Sequence, residues 1–389
     1  MKKRVLILSQ VIPQWYVDVI VNALGENIET VFVTGSDVSC NVVKAPEYQP
    51  DSFVSRFITW FKYCVFSYRW ARKNRSEKFD LIFATSNPPL NTFLGLNLKK
   101  LFKAPFVIMN WDIYPQCIDY MIKNPLVHQV CKIWHWFNNR NYSRIDKMIT
   151  VGDVVAQSIN EKLKNPIDIP VIPIGVDTDL LIPRNKEENE FCLKNNLHNK
   201  FVVLYSGKMG YGHNIELILE AAERLKNYEE ICFVFIGGGQ KFSLVEKFCA
   251  DPEHTNVMLF PYQPEETFMF SMACGDVGVV PEETEMARLF MPSKTYSLIS
   301  CGVPVIGICS NDDDLHNTIE EKGIGFCVTD NKSQTLEKYI LDLFNDREKL
   351  DELRKRAREC AVDDYDIKII EKKYSDLFGK FLQNEKVDV

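Results

Sequence analysis

The stretch Val203-Leu204-Tyr205-Ser206-Gly207-Lys208-Met209-Gly210-Tyr211-Gly212-His213-Asn214 sets three glycines, a lysine and a histidine between an apolar run and a helical pattern. A strand that feeds a glycine-rich turn and a helix start offers free backbone N–H groups and a positive dipole end, which together hold an anion such as a diphosphate. Lys208 would add charge there, and so would His213 if protonated. An ordinary strand-to-helix turn, with glycines serving only tight geometry, fits the same spacing equally well. No Gly-Lys-Ser/Thr closes the stretch, so it is not a Walker P-loop.

A second cluster, Gly237-Gly238-Gly239-Gln240-Lys241-Phe242, follows an apolar run ending at Ile236. It lacks the third glycine of the dinucleotide fingerprint and is read as a tight turn. Pro292-Ser293-Lys294 precedes a helical stretch. There Ser293 is expected to cap the helix while Pro292 stiffens the loop. A lysine at a helix's positive end is unfavourable for the helix itself, so a bound anion would account for Lys294; a solvated surface lysine is the plainer alternative. Cys301-Gly302-Val303-Pro304 then reads as the helix end and entry to the next strand. Asp312-Asp313-Asp314 formally contains a metal-diphosphate Asp-x-Asp, but N-capping and first-turn acids before Leu315–Lys322 explain it fully. No metal and no cofactor is expected.

Residues 56–75 hold six basic and seven aromatic side chains and no acid, and 128–144 add Trp134, Trp136, Phe137, Arg140 and Arg144. Such segments suit peripheral contact with an anionic inner membrane. Amphipathic helices that bury their aromatics and expose their cations would read the same way.

The elements that must position these residues alternate. Apolar, β-branched runs at Val5–Leu8, Thr30–Val33, Leu81–Ala84, Phe106–Met109 and Met148–Val151 recur in the first half. Val202–Tyr205, Phe233–Ile236, Val257–Phe260, Val277–Val280, Val303–Ile308 and Phe326–Val328 follow in the second. Runs of this kind fit strands covered on both faces, and segments of helical period such as Ile215–Leu225 lie between them. The pattern predicts an α/β protein of two doubly wound, Rossmann-like domains with ligand in an interdomain cleft at the carboxyl ends of the strands. The expected division is 1–168, 169–365 and a C-terminal helix over 366–389 that packs back on the first domain.

The 389-residue chain has ordinary globular composition, and its net charge of −7 argues against nucleic-acid binding. Twelve scattered cysteines show no zinc-ligand spacing. The apolar run after Met-Lys-Lys-Arg is short for a signal peptide, so reduced thiols and a cytoplasmic location are expected, with membrane contact peripheral if present.

Taken in order, the motifs resemble the family 4 glycosyltransferases of GT-B fold, and within them the bacterial capsule, O-antigen and colanic-acid enzymes, including fucosaminyltransferase-like ones. The resemblance runs through Phe79–Pro89, Trp111-Asp112-Ile113-Tyr114-Pro115, Ile172–Asp177, Tyr205-Ser206-Gly207-Lys208, Phe233–Gly239, Leu259–Pro264 and Pro292-Ser293-Lys294. It implies a retaining hexosyl- or N-acetylhexosaminyl-transferase that uses a nucleotide-diphosphate sugar, with UDP favoured, and a polyprenyl-diphosphate-linked saccharide as acceptor. It also implies catalytic roles for Asp112, Lys208 and Lys294. Donor-binding roles fall on Gly207, Lys208, Gly210, His213, Gly237, Tyr262, Pro292, Ser293, Lys294 and Ser297, and acceptor-side roles on Gln14, Trp111 and Asp112.

Two departures stand out. The family's paired glutamates would fall at Leu289 and Ser297, neither of them acidic, which leaves Glu282, Glu283 and Glu285 as substitutes among which the sequence does not choose. Pro13-Gln14-Trp15-Tyr16 replaces the N-terminal Gly-Gly loop. A UDP-sugar epimerase of the same fold and a non-catalytic subunit of a polysaccharide-assembly complex are the rival readings.

Overall fold

In the computed structural model, residues 2–49 and 52–383 are described, and they divide into two compact units. The first comprises Met1–Pro173 with Lys368–Val389, the second Ile174–Ile367. The chain leaves the first unit at Pro173 rather than at 168, because Thr150 N–H donates to Pro170 O (3.1 Å) and Ile172 N–H to Thr150 O (2.8 Å). Those bonds extend the first sheet by one more short segment. Positions 384–389 of the expected terminal helix lie outside the described residues.

The first sheet contains β1 (Lys3–Leu8), β2 (Ile28–Thr34), β3 (Val42–Lys44), β4 (Leu81–Thr85), β5 (Phe106–Asn110) and β6 (Lys147–Thr150). They pair in the order β3-β2-β1-β4-β5-β6, all parallel. The second holds β7 (Phe201–Lys208), β8 (Ile231–Gly238), β9 (Val257–Phe260), β10 (Val277–Pro281), β11 (Val305–Ile308) and β12 (Gly325–Val328). Its order β12-β11-β10-β7-β8-β9 is the same winding repeated, again all parallel. Each order reverses once, between β1 and β4 and between β7 and β10, which is where a doubly wound sheet opens a crevice for ligand. β3 is too short to register in the hydrophobic pattern, and β11 begins two residues later than its apolar run because Pro304 has no N–H for the ladder.

The central strands β4, β5 and β10 are buried at every position, as helices on both faces require. In the second unit the helix Ile215–Arg224 buries Ile215, Leu217, Ile218, Leu219, Ala221 and Ala222 against this sheet. The helix Ile367–Leu382 closes the first unit: Tyr374 shares a 2.6 Å hydroxyl–hydroxyl hydrogen bond with Tyr16, and Phe378 meets Phe83 edge-on at 5.2 Å. Among the described residues, no helix is long and apolar enough to cross a membrane.

Candidate active site

In the second unit the carboxyl ends of β7 and β8 meet glycine to glycine. A side chain on Gly237 would bring its Cβ within 1.9 Å of Gly207 O, and Gly237 and Gly207 adopt φ of 145° and 136°. Only glycine allows both the left-handed backbone and that approach. The turn after β7 is tied back by Met209 N–H to Gly238 O (2.8 Å), so the two glycine clusters of the sequence form one structure.

Lys294 reaches across to it. Its ammonium donates to Tyr205 Oη at 3.1 Å, stands 4.3 Å from the centre of that ring, and would lie 3.5 Å from a Cβ on Gly207. Tyr205 in turn donates to Lys208 O (2.6 Å), fixing the strand end that presents Lys208 to solvent. Part of the Lys294 side chain remains accessible, but burial around its ammonium pushes the pKa down to about 7, with Glu282 pulling the other way. The helix that Lys294 opens lacks the expected cap: Ser293 sits in helical geometry and makes no side-chain capping bond, its hydroxyl left exposed. Pro292 is buried and Ser297 half-buried on the same helix, which ends at Cys301 and turns at Gly302 (φ 67°).

His213 is a neutral ring, so the charge it would bring if protonated is absent. Burial first, then Lys294 and Lys208, pushes its pKa down to about 2, and its Nδ1 accepts from Gly210 N–H at 3.3 Å. It therefore shapes the turn rather than adding charge. The cation the motif reading passed over is Lys241, four residues beyond Gly237. It donates to His213 O (2.8 Å) and pairs with Glu216 (2.7 Å) and Glu283 (3.3 Å). Its place directly after the second glycine cluster was the available signal. Tyr262 is exposed beside Gly238, its hydroxyl 3.4 Å from Gly238 O.

The three glutamates separate here. Glu283 pairs with Lys241, Glu285 is exposed, and Glu282 is 2% exposed with no hydrogen bond to either carboxylate oxygen. Burial, with Asp313 and Asp314 close by, pushes the Glu282 carboxyl well above the usual carboxylate range, so it favours its protonated form. Asp313 caps the helix Asp314–Lys322 through His316 N–H (2.7 Å) and also accepts from Ser310 N–H (2.7 Å), while burial lifts its pKa to about 6. Among the described residues, one group brings three metal-ligand atoms within 4.8 Å of one another, His316, Glu320 and Cys327.

In the first unit, Trp111 and Asp112 follow β5 and line a cavity of about 70 Å³ with Tyr48, Trp60, Ser86, Asn87, Pro89 and Tyr114. Trp111 N–H donates to Ser86 Oγ (3.1 Å), and its indole packs edge-on to Tyr16 at 5.0 Å with a buried N–H that has no acceptor. Gln14 does not line this cavity. Its amide bonds Asp18 (2.7 Å) and Ser39 N–H (2.8 Å), holding the start of the helix Gln14–Leu24.

Residues 187–360 match the glycosyl transferases group 1 family. The protein is a glycosyltransferase with a group 1 domain. Over 80% of its length the transferase is 24% identical to the probable glycosyltransferase WbjE of Pseudomonas aeruginosa, covering 78% of that protein. It is 23% identical to the putative colanic acid biosynthesis glycosyl transferase WcaI of Escherichia coli K12, over 84% of this chain and 80% of WcaI. The Anabaena protein HepE, crystallised with UDP-glucose, superposes with a TM-score of 0.71 at 15% identity, over 97% of this chain and 99% of HepE. The fold of the transferase is GT-B.

Proposed function

We propose that the transferase moves a sugar, with retention of configuration, from a UDP-sugar to a lipid-linked saccharide in bacterial surface-polysaccharide synthesis. The observation that carries the donor half is Lys294: a cation held over Tyr205 beside the Gly207–Gly237 contact, whose nearest buried carboxyl, Glu282, favours the uncharged form. A diphosphate would supply the missing negative charge, and exposed Lys208 and the turn's backbone N–H groups would share it. Lys208 and Lys294 would then stabilise charge growing on the leaving diphosphate, and a departing phosphate oxygen would take the acceptor proton. Asp112 would orient the acceptor hydroxyl in the first unit. The choice of UDP rests on HepE, and the polysaccharide setting on WcaI, as likenesses.

The lipid side of the proposal rests on two neighbouring helices of the first unit, Phe53–Lys73 and Pro125–Tyr142, joined by a Phe57–Trp134 ring contact at 6.2 Å. They expose Phe61 (64%), Val130, Ile133 and Trp136 (56%), with Arg56, Lys62, Arg69 and Arg140 on the same segments. Apolar side chains among cations suit an anionic bilayer surface.

The test is a thermal-shift screen in EDTA against UDP, GDP, ADP and CMP, since a ligand of the native state raises its melting temperature. A shift with UDP that Lys208→Ala removes is the expected result. No shift with any nucleotide would overturn the donor assignment.

A further inference from the structure

A large cavity lies wholly in the second unit, and it is not the glycine site. Its volume is about 970 Å³, at the upper end of small-molecule pockets, which run to roughly 1,000 Å³. Phe201 and Glu230 at the starts of β7 and β8, Asp276 just before β10 and Gly302 before β11 place it at the amino edge of the sheet. The glycine turns and Lys208 stand at the carboxyl edge. The eight residues of β7, at roughly 3.3 Å each, separate the two by about 25 Å.

The lining is cationic in an acidic protein. Lys186 shares Asp276 with Arg354, Arg354 also pairs with Asp351 (3.0 Å), and Lys355 has Glu359 at 3.8 Å. Arg184, Lys200, Arg347 and Arg358 also line the cavity, and none of them forms an ion pair with a carboxylate among the described residues. Arg358 is anchored instead by the carbonyls of Thr178, Leu181 and Ser300 at 2.7–2.9 Å, and Lys200 by Glu229 O at 2.6 Å. Arg347 lies over Phe201 and Phe344, 5.3 and 5.7 Å from the ring centres. Arg184 stands over Phe270 at 4.4 Å, with a buried Nε–H that has no acceptor. Only Glu230 opposes these four charges among the unpaired lining groups.

Backbone carbonyls and aromatic faces orient these cations without neutralising them. Three of the four are arginines, whose planar forks each match two phosphate oxygens. We propose that this cavity is a second binding site, independent of the donor site, for a small polyanion carrying adjacent phosphate groups. An excess of three positive charges suits a diphosphate, and the cavity's size suits a small molecule rather than a polymer.

The test is titration calorimetry of the full chain with inorganic pyrophosphate at constant ionic strength. Lys294→Met weakens the donor site, and in that variant pyrophosphate is expected to bind at one site that equimolar sulfate does not compete for. Lys200→Glu with Arg347→Glu should weaken that binding at least tenfold while leaving UDP-glucose binding to the otherwise native chain intact, which shows the fold is kept. Lys200→Ala alone, a milder change, should weaken it several-fold. Competition by UDP in the Lys294→Met chain would identify a nucleoside diphosphate as the occupant, and no competition a free or differently substituted diphosphate; both outcomes support the site. Loss of all pyrophosphate binding on Lys294→Met, or binding indifferent to the charge reversals, would overturn it.

Discussion

Lys294 makes donor affinity depend on pH in a way that can be worked out. The ordinary lysine value of 10.5 falls to about 7 in the unliganded protein because the ammonium is desolvated. A bound diphosphate favours the charged form and lifts the pKa again, so the complex holds a proton that the free protein has partly lost. With a free-state pKa of about 7, roughly nine-tenths of the molecules carry the charge at pH 6 and one-tenth at pH 8, and apparent affinity scales with that fraction. UDP-glucose, whose diphosphate diester does not titrate in this range, should therefore bind about tenfold more weakly at pH 8 than at pH 6. Calorimetry in buffers of different ionisation enthalpy should show uptake of nearly one proton per ligand at pH 8. Burial holds the Glu282 carboxyl well above the usual carboxylate range, and its ionisation as the pH rises would repel the diphosphate in the same direction, so Glu282→Gln isolates the lysine's share. His213, pushed down to about 2, stays neutral across the whole range. The dependence should survive Glu282→Gln and vanish in Lys294→Met. Affinity constant from pH 6 to 8 with no proton uptake would refute the reasoning.

The same shift has a stability consequence: between pH 7 and 10.5 the unfolded chain binds the Lys294 proton more tightly than the folded one, so stability rises with pH there. Denaturant melts at pH 7 and 9 should show that rise in the wild type and a smaller one in Lys294→Met. Lys208→Ala should lower transfer from a UDP-sugar by about 100-fold or more, the scale of a lost oxyanion donor, measured as UDP release with a competent acceptor; unchanged turnover would remove Lys208 from the reaction. Gly237→Ala places a Cβ 1.9 Å from Gly207 O at a φ of 145° and should cost about 3 kcal/mol or more by chemical denaturation. Flotation with anionic liposomes should carry the wild type and leave Phe61→Ser/Trp136→Ser largely in the soluble fraction; equal flotation of both would point away from this surface.

The sequence by itself determined the architecture. Apolar runs such as Leu81–Ala84 and Val277–Val280 have no polar side chain to face out, so they fit strands covered on both faces, and helical periods between them leave parallel winding as the arrangement that buries both. The glycine pairs were legible for the same reason: a βα turn that brings two backbones into contact must use residues without a Cβ. Tertiary structure alone decided charge. In the sequence Lys208 and Lys294 are nominal cations and His213 is one if protonated, yet in the fold Lys208 is exposed, Lys294 is pushed to about 7 and His213 is neutral, because desolvation depends on neighbours that come from β7, β10 and the segments after them. The surroundings of Glu282, Glu283 and Glu285 were decided the same way, by which carboxylate the fold buries and which it hands to Lys241. The cationic cavity at the amino edge was invisible in the sequence, since Arg184, Lys200, Arg347 and Arg358 are scattered over 175 positions and share nothing but the end of one sheet. Local pattern fixes which backbone forms, because it depends on neighbours in the chain; ionisation and ligand chemistry depend on neighbours in space.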